Sequence, residues 1–187
     1  MTVNYSRIGV VGAGAMGPGI AQIAAQAGSE VLLLDSFAGA AERGREALSA
    51  QWNKLHEKNK IDAATRDAYI ARVKAVDSVQ ALAGCDLVVE AIVEDLEVKR
   101  KLFRELEGVV AETATLVTNT SSLSVTAIAA GLKHPGRIAG FHFFNPVPLM
   151  KVVEVVAGFK TERAVCERLS TYAGQMGHSA VHTQDTP

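Results

Sequence analysis

Short apolar runs alternate along this chain with longer stretches in which apolar residues recur at every third or fourth position, the pattern of strands and helices taken in turn. Arg7–Val11, Val31–Leu34, Arg72–Val76, Asp86–Ala91, Thr115–Thr118 and Arg137–Phe141 read as strands. The fourth of these is apolar enough to be buried on both faces, as in a parallel sheet. Lys151–Val156 alternates sharply, with Glu154 among β-branched residues, and Ala180–His182 reads as a short last strand. Helical spacing fills the intervals: a segment after Gly17, then Phe37–Lys60 with Ala41, Leu48, Trp52 and Leu55 on one face, then Ile61–Ile70 capped by Asp62. A fourth helix starts near Asp95, acidic first and basic later, a polarity that suits the helix dipole, and Thr161–Met176 is a fifth. The expected fold class is α/β, a doubly wound, mostly parallel sheet with an extra C-terminal strand region. Residues 1–183 form its domain and 184–187 begin a linker.

The first strand ends in Gly12-Ala13-Gly14-Ala15-Met16-Gly17, which has the spacing G-x-G-x-x-G, and the second ends at Asp35, about twenty residues on. Gly12 permits the tight strand-to-helix turn, Gly14 lets the backbone approach a pyrophosphate, and Gly17 lets the helix pack close on the strand. The helix start then offers free N–H groups and a partial positive charge to phosphates, with Ala15 and Met16 in the loop among the contacts. Pro18 is tolerated in the first helical turn, where its missing N–H has no intrahelical partner. Asp35 is placed to accept hydrogen bonds from both hydroxyls of an adenine ribose and to repel a 2′-phosphate. This is the Rossmann arrangement, and its cofactor is NAD rather than NADP.

Composition narrows the partners. A chain of 187 residues with 48% hydrophobic and 21% charged residues is ordinary for a globular protein with one good core. Its net charge of −1 gives no reason to expect nucleic acid, so any anion site is local. Cys85 and Cys166 lack metal-ligand spacing and read as buried free thiols in a reducing compartment. With no run long enough for a membrane span and no signal-peptide pattern, the expected location is cytoplasmic, with neither membrane nor metal.

Several polar residues fall where chemistry is possible. Lys54 and Lys58, one helical turn apart, belong to a basic face that is usually just solvated, yet a phosphate-rich substrate tail needs such a pair. Glu94 and Lys99 fall around the mouth of the fourth strand, where doubly wound sheets bind ligands; a capping acid and a surface lysine are the plainer alternative. Asn119-Thr120-Ser121-Ser122 follows the fifth strand and, taken alone, reads as a cap for the next helix. His142, delivered by the sixth strand, and Glu154, inside a hydrophobic strand across a proline-containing turn, are natural partners because an unpaired buried carboxylate is costly. A carboxylate on one imidazole nitrogen fixes the tautomer and leaves the other nitrogen to exchange a proton with a substrate hydroxyl. The plainer alternatives are a His that caps a loop and a Glu that stabilises a turn.

The run Gly140-Phe141-His142-Phe143-Phe144-Asn145-Pro146-Val147-Pro148-Leu149-Met150-Lys151-Val152-Val153-Glu154-Val155-Val156, with Asn119-Thr120-Ser121-Ser122 and Glu90-Ala91-Ile92-Val93-Glu94 upstream, closely resembles the NAD-binding domain of the L-3-hydroxyacyl-CoA dehydrogenases. The resemblance covers essentially the whole chain. It implies an NAD-dependent oxidoreductase of fatty-acid β-oxidation type that interconverts L-3-hydroxyacyl-CoA and 3-ketoacyl-CoA. On that resemblance His142 is the catalytic base, Glu154 its orienting partner, and Ser121 the hydroxyl that holds the substrate's 3-oxygen. Asp35, Ala91, Glu94, Lys99, Asn119, Ser121 and Asn145 fall at cofactor-contacting positions, and Lys54 and Lys58 on the helix that meets coenzyme A. Members of the family continue past Asp-Thr-Pro into a Gly-Phe-x-x-Asn-Arg segment and a helical domain. That domain supplies dimer contacts, part of the acyl pocket and a further active-site asparagine. The expectation is therefore a nucleotide-binding part that keeps NAD binding and turns over weakly or not at all alone, the full-length enzyme forming a homodimer through the helical domain. The rival expectations are a dehydrogenase of a small 3-hydroxy acid or sugar acid, and a non-catalytic NAD-binding module.

Overall fold

The computed structural model describes residues 4–186; Met1–Val3 and Pro187, the last residue of the expected linker, lie outside the described residues. The chain forms β1 (Arg7–Val11), α1 (Gly17–Ala27), β2 (Glu30–Leu34), α2 (Ala40–Glu57), α3 (Ala63–Arg72), β3 (Val73–Val76), β4 (Leu87–Glu90) and α4 (Leu96–Glu107). There follow β5 (Thr115–Thr118), α5 (Val125–Ala129), β6 (Ile138–Phe143), β7 (Val152–Ala157), α6 (Arg163–Gln175) and β8 (Ser179–Gln184). The strands make one eight-stranded sheet in the order β3-β2-β1-β4-β5-β6-β7-β8. All neighbours are parallel except β6 and β7, which pair antiparallel. The order reverses between β1 and β4, the switch point at which such sheets open a crevice for ligands.

Alternating strand residues feed two apolar layers. Val10, Val31, Leu33, Val89 and Val117 pack with Ile20 and Ile23 of α1, Trp52 of α2 and Leu169 of α6. Their neighbours Val11, Leu32, Val88 and Leu116 turn to the other face, against Phe103 and Leu106 of α4 and Ile128 of α5. Both faces are covered, which is why the strands read as continuous apolar runs.

The element boundaries differ from expectation where the backbone decides them. The long helix begins at Ala40 instead of Phe37 because Gly39 precedes it in the left-handed region at φ 74°, and it stops at Glu57, before Asn59 at φ 53°. Arg137 belongs to a 3-10 turn, and β6 runs on through His142 and Phe143, because β7 gives these residues ladder partners. The helix after β5 is capped by Ser124, whose hydroxyl accepts from Ala127 N–H, and not by the Asn119–Ser122 cluster. Gln184 lies in β8, so the expected linker starts inside the sheet.

Asp185, also expected in that linker, is tied back to the fold. Its carboxylate accepts from the Ser124 hydroxyl at 2.8 Å, Val125 N–H at 2.9 Å and Thr126 N–H at 2.7 Å. Burial pushes this carboxyl up, but those hydrogen bonds outweigh it and hold it below the usual range. Asp86 behaves likewise, with donors from Ser6 and Arg7 overcoming its burial. A carboxyl lowered in the folded state stabilises the fold fully above its unfolded value, about 4, and loses that contribution as pH falls through its folded value. The thermal midpoint is therefore expected to be level between about pH 5 and 7 and to fall below about pH 4, with Asp185→Asn removing part of the drop. A midpoint that holds down to about pH 2.5 contradicts this assignment.

Candidate active site

The loop between β1 and α1 is built so that only glycine fits at two of its positions. A Cβ on Gly17 would lie 1.7 Å from Gly12 O, and Gly12, at φ 109°, would carry one 2.4 Å from Ala91 O. Gly14 is different: a Cβ there meets nothing within 4 Å. The protein itself makes no demand for glycine at this point, so what the missing side chain leaves open is room for a ligand to approach the backbone. No side chain caps α1, leaving its first N–H groups to a ligand, and Pro18 sits in its first turn.

Asp35 directly follows β2. Its Oδ2 accepts from Ala13 N–H at 2.6 Å and its Oδ1 from Phe37 N–H at 2.8 Å, which locks the carboxylate beside the glycine loop. A carboxylate has about four lone-pair sites, so acceptor capacity remains for two ribose hydroxyls. A cavity of about 870 Å³ opens here, of the size of cofactor sites, with Gly12, Gly14, Ala15, Met16, Asp35 and Ala91 in its wall. The loop, the uncapped helix and the locked acid fit a dinucleotide. Phe37, Val93, Lys101 and Glu105 also line the cavity and were not singled out in the sequence. Only Phe37, an apolar residue two positions after the strand-end acid, carried a usable signal; it is 77% exposed.

Glu94, Lys99, Asn119, Ser121 and Asn145 lie outside that wall and sit further along the same edge. Lys99 is neither a surface lysine nor freely exposed in the cleft: it is 1% exposed and paired with Glu90 at 2.5 Å and Glu94 at 3.2 Å. Glu94 accepts hydrogen bonds from the Thr120 and Ser122 hydroxyls. Burial raises its carboxyl, but those hydroxyls and the Lys99 ammonium prevail and hold it below the usual range. Asn119 accepts from Phe143 N–H at 2.8 Å and so ties the end of β5 to the end of β6. Ser121 is exposed at the tip of the same loop, and Asn145, after β6, is exposed as well.

His142 and Glu154 stand directly opposite each other on antiparallel β6 and β7. His142 Nδ1 donates to Glu154 Oε2 at 2.8 Å, which places the proton on Nδ1 and leaves Nε2 as the free acceptor. The pairing is a cross-strand contact within the sheet rather than the reach across a turn read from the sequence. Glu154 is also less enclosed than expected, its side chain 35% exposed against 16% for His142. Phe144 flanks the imidazole, ring centroids 4.7 Å apart. Lys54 and Lys58 are exposed at the C-terminal end of α2, and neither shares a described hydrogen bond or ion pair with the edge residues.

Comparison with known proteins finds relatives along the whole chain. The family model described as 3-hydroxyacyl-CoA dehydrogenase, NAD binding domain, matches residues 7–186. A 3-hydroxyadipyl-CoA dehydrogenase of Escherichia coli is 44% identical over 187 residues, covering 100% of this chain and 39% of the relative. A probable 3-hydroxybutyryl-CoA dehydrogenase of Deinococcus radiodurans is 39% identical over 97% of this chain and 65% of its own length. A crystal structure of 3-hydroxybutyryl-CoA dehydrogenase from Escherichia coli superposes with a TM-score of 0.95 at 43% identity, over 100% of this chain and 39% of that one. The chain thus spans between about two fifths and two thirds of the length of these relatives.

Proposed function

This chain belongs to the family of 3-hydroxyacyl-CoA dehydrogenase NAD-binding domains, and on that premise we propose that it binds NAD and supplies the acid–base pair for interconverting an L-3-hydroxyacyl-CoA and its 3-ketoacyl-CoA. The observation that carries the reading is the His142–Glu154 pair, held at 2.8 Å on the sheet edge that also carries the glycine loop. When bound, NAD supplies the hydride acceptor. Gly12, Gly14 and the start of α1 hold its phosphates, Asp35 its adenine ribose, and Ala91, Glu94, Asn119 and Asn145 the other half. In the oxidative direction His142 Nε2 takes the proton of the 3-hydroxyl, and Glu154 stabilises the imidazolium through Nδ1 without itself becoming protonated. Ser121 holds the reacting oxygen, and Lys54 and Lys58 meet the phosphates of coenzyme A.

The reading extends to a cytosolic setting and, for a protein that joins this domain to the family's helical domain, to a homodimer. Two buried, unbridged cysteines support a reducing compartment, burial pushing the Cys85 thiol up to about 12 and keeping it inert. No helix among the described residues is long and apolar enough to cross a membrane. The experiment, run on a protein that joins this domain to the family's helical domain, compares single-turnover formation of NADH from L-3-hydroxybutyryl-CoA and from free L-3-hydroxybutyrate. The thioester is expected to react at least about tenfold faster, with Lys54→Ala/Lys58→Ala eroding only that advantage by weakening contact with the nucleotide tail. Equal rates on the two compounds identify a small-acid dehydrogenase instead.

A further inference from the structure

Behind the loop that carries Ser121 lies Glu90, the last residue of β4, with no exposed surface. Its Oε1 accepts from Lys99 Nζ at 2.5 Å and Ile92 N–H at 2.8 Å, and its Oε2 from the Thr118 hydroxyl at 2.7 Å. Lys99 bridges onward to Glu94 Oε2 at 3.2 Å. Glu94 is bonded by the Thr120 hydroxyl, and Thr120 N–H returns to Thr118 Oγ1 at 3.2 Å. Polar groups from β4, β5, α4 and the Asn119–Ser122 loop therefore close into one ring. Apolar residues of similar volume commonly fill such an interior at no loss of stability, so a buried ion pair at this point calls for an explanation beyond packing.

Position and charge supply one. Asp35, just after β2, takes the adenine side of the switch point, so the ends of β4 and β5, across β1, face the nicotinamide side. Two carboxylates and one ammonium sum to one negative charge, and only Glu94 of the three is substantially exposed, at 39%. We propose that Glu90 is a positioning residue for the nicotinamide end of the site: by anchoring Lys99 and Thr118 it fixes the Glu94 carboxylate and the Ser121 loop, and keeps one net negative charge beside the cofactor ring. The oxidised ring is positive and the reduced ring neutral, so this charge favours oxidised over reduced cofactor. The inference rests on the NAD reading above.

Titration of the chain with NAD, NADH and ADP-ribose, which lacks nicotinamide, separates the two halves of the site. Glu90→Asp keeps the charge but shortens the reach by one methylene, so it cannot hold both Lys99 and Thr118. It is expected to weaken NAD about threefold while leaving ADP-ribose unchanged. Glu90→Gln removes the charge and is expected to lower the ratio of NAD to NADH affinity about tenfold. If the folded variants keep the wild-type ratios of NAD to ADP-ribose and of NAD to NADH, Glu90 is a structural carboxylate only and the proposal is overturned. Should Glu90→Gln not fold, Glu90→Asp decides alone. A wild-type chain that binds none of the three ligands overturns the NAD reading itself, and this inference with it.

Discussion

In a protein that joins this domain to the family's helical domain, His142→Gln slows single-turnover reduction of NAD by L-3-hydroxybutyryl-CoA by about two to four orders of magnitude while leaving NAD affinity within about twofold. Gln is close to His in size and still donates toward Glu154, so β6 and β7 keep their register. What disappears is the free imidazole nitrogen, and with it the group that accepts the hydroxyl proton. The His142–Glu154 contact is a cross-strand pair on a six-residue ladder strand, not a loop contact, so the variant is expected to keep the wild-type thermal midpoint. An unaltered rate in a folded, NAD-binding variant would remove His142 from the chemistry and leave a non-catalytic NAD-binding module.

Asp35→Ala is expected to weaken NAD between about tenfold and a hundredfold, the loss of charge-assisted hydrogen bonds to two ribose hydroxyls. NADP is expected to lose nothing or to gain, because the carboxylate that repels a 2′-phosphate is gone. The effect is chemical rather than structural only if the loop survives. Ala13 N–H and Phe37 N–H donate to the two different oxygens of Asp35, so Asp35→Asn, which removes the charge but keeps one of the two acceptors, serves as the control. Calorimetry on both variants with NAD and NADP separates the lost charge from a collapsed loop.

The parts of the site that are legible in the sequence are those whose physics is local. Gly12, Gly14 and Gly17 mark the loop because a turn and two close approaches fall within one short segment, and Asp35 follows one strand later. Glu154 stands out because it interrupts a run of β-branched residues. The remainder depends on partners distant in sequence. β6 extends through His142 only because β7 pairs with it, and that antiparallel ladder has no signature in the sixth strand itself. Lys99 reads as surface or cleft until Glu90 and Glu94 close on it. Glu90 reads as the end of an apolar run. Asp185 reads as linker, yet it holds the start of α5, 60 residues earlier at Val125. The start and end of α2 turn on positive φ values at Gly39 and Asn59, which apolar periodicity does not record.

The central claim is that this sheet edge is an NAD site. Titration of the 187-residue chain with NAD and with NADP tests it most directly. The account predicts one NAD bound per chain, at least about tenfold more tightly than NADP, since Asp35 meets a hydroxyl in one and a phosphate in the other. Equal affinity for the two, or tighter binding of NADP, contradicts it.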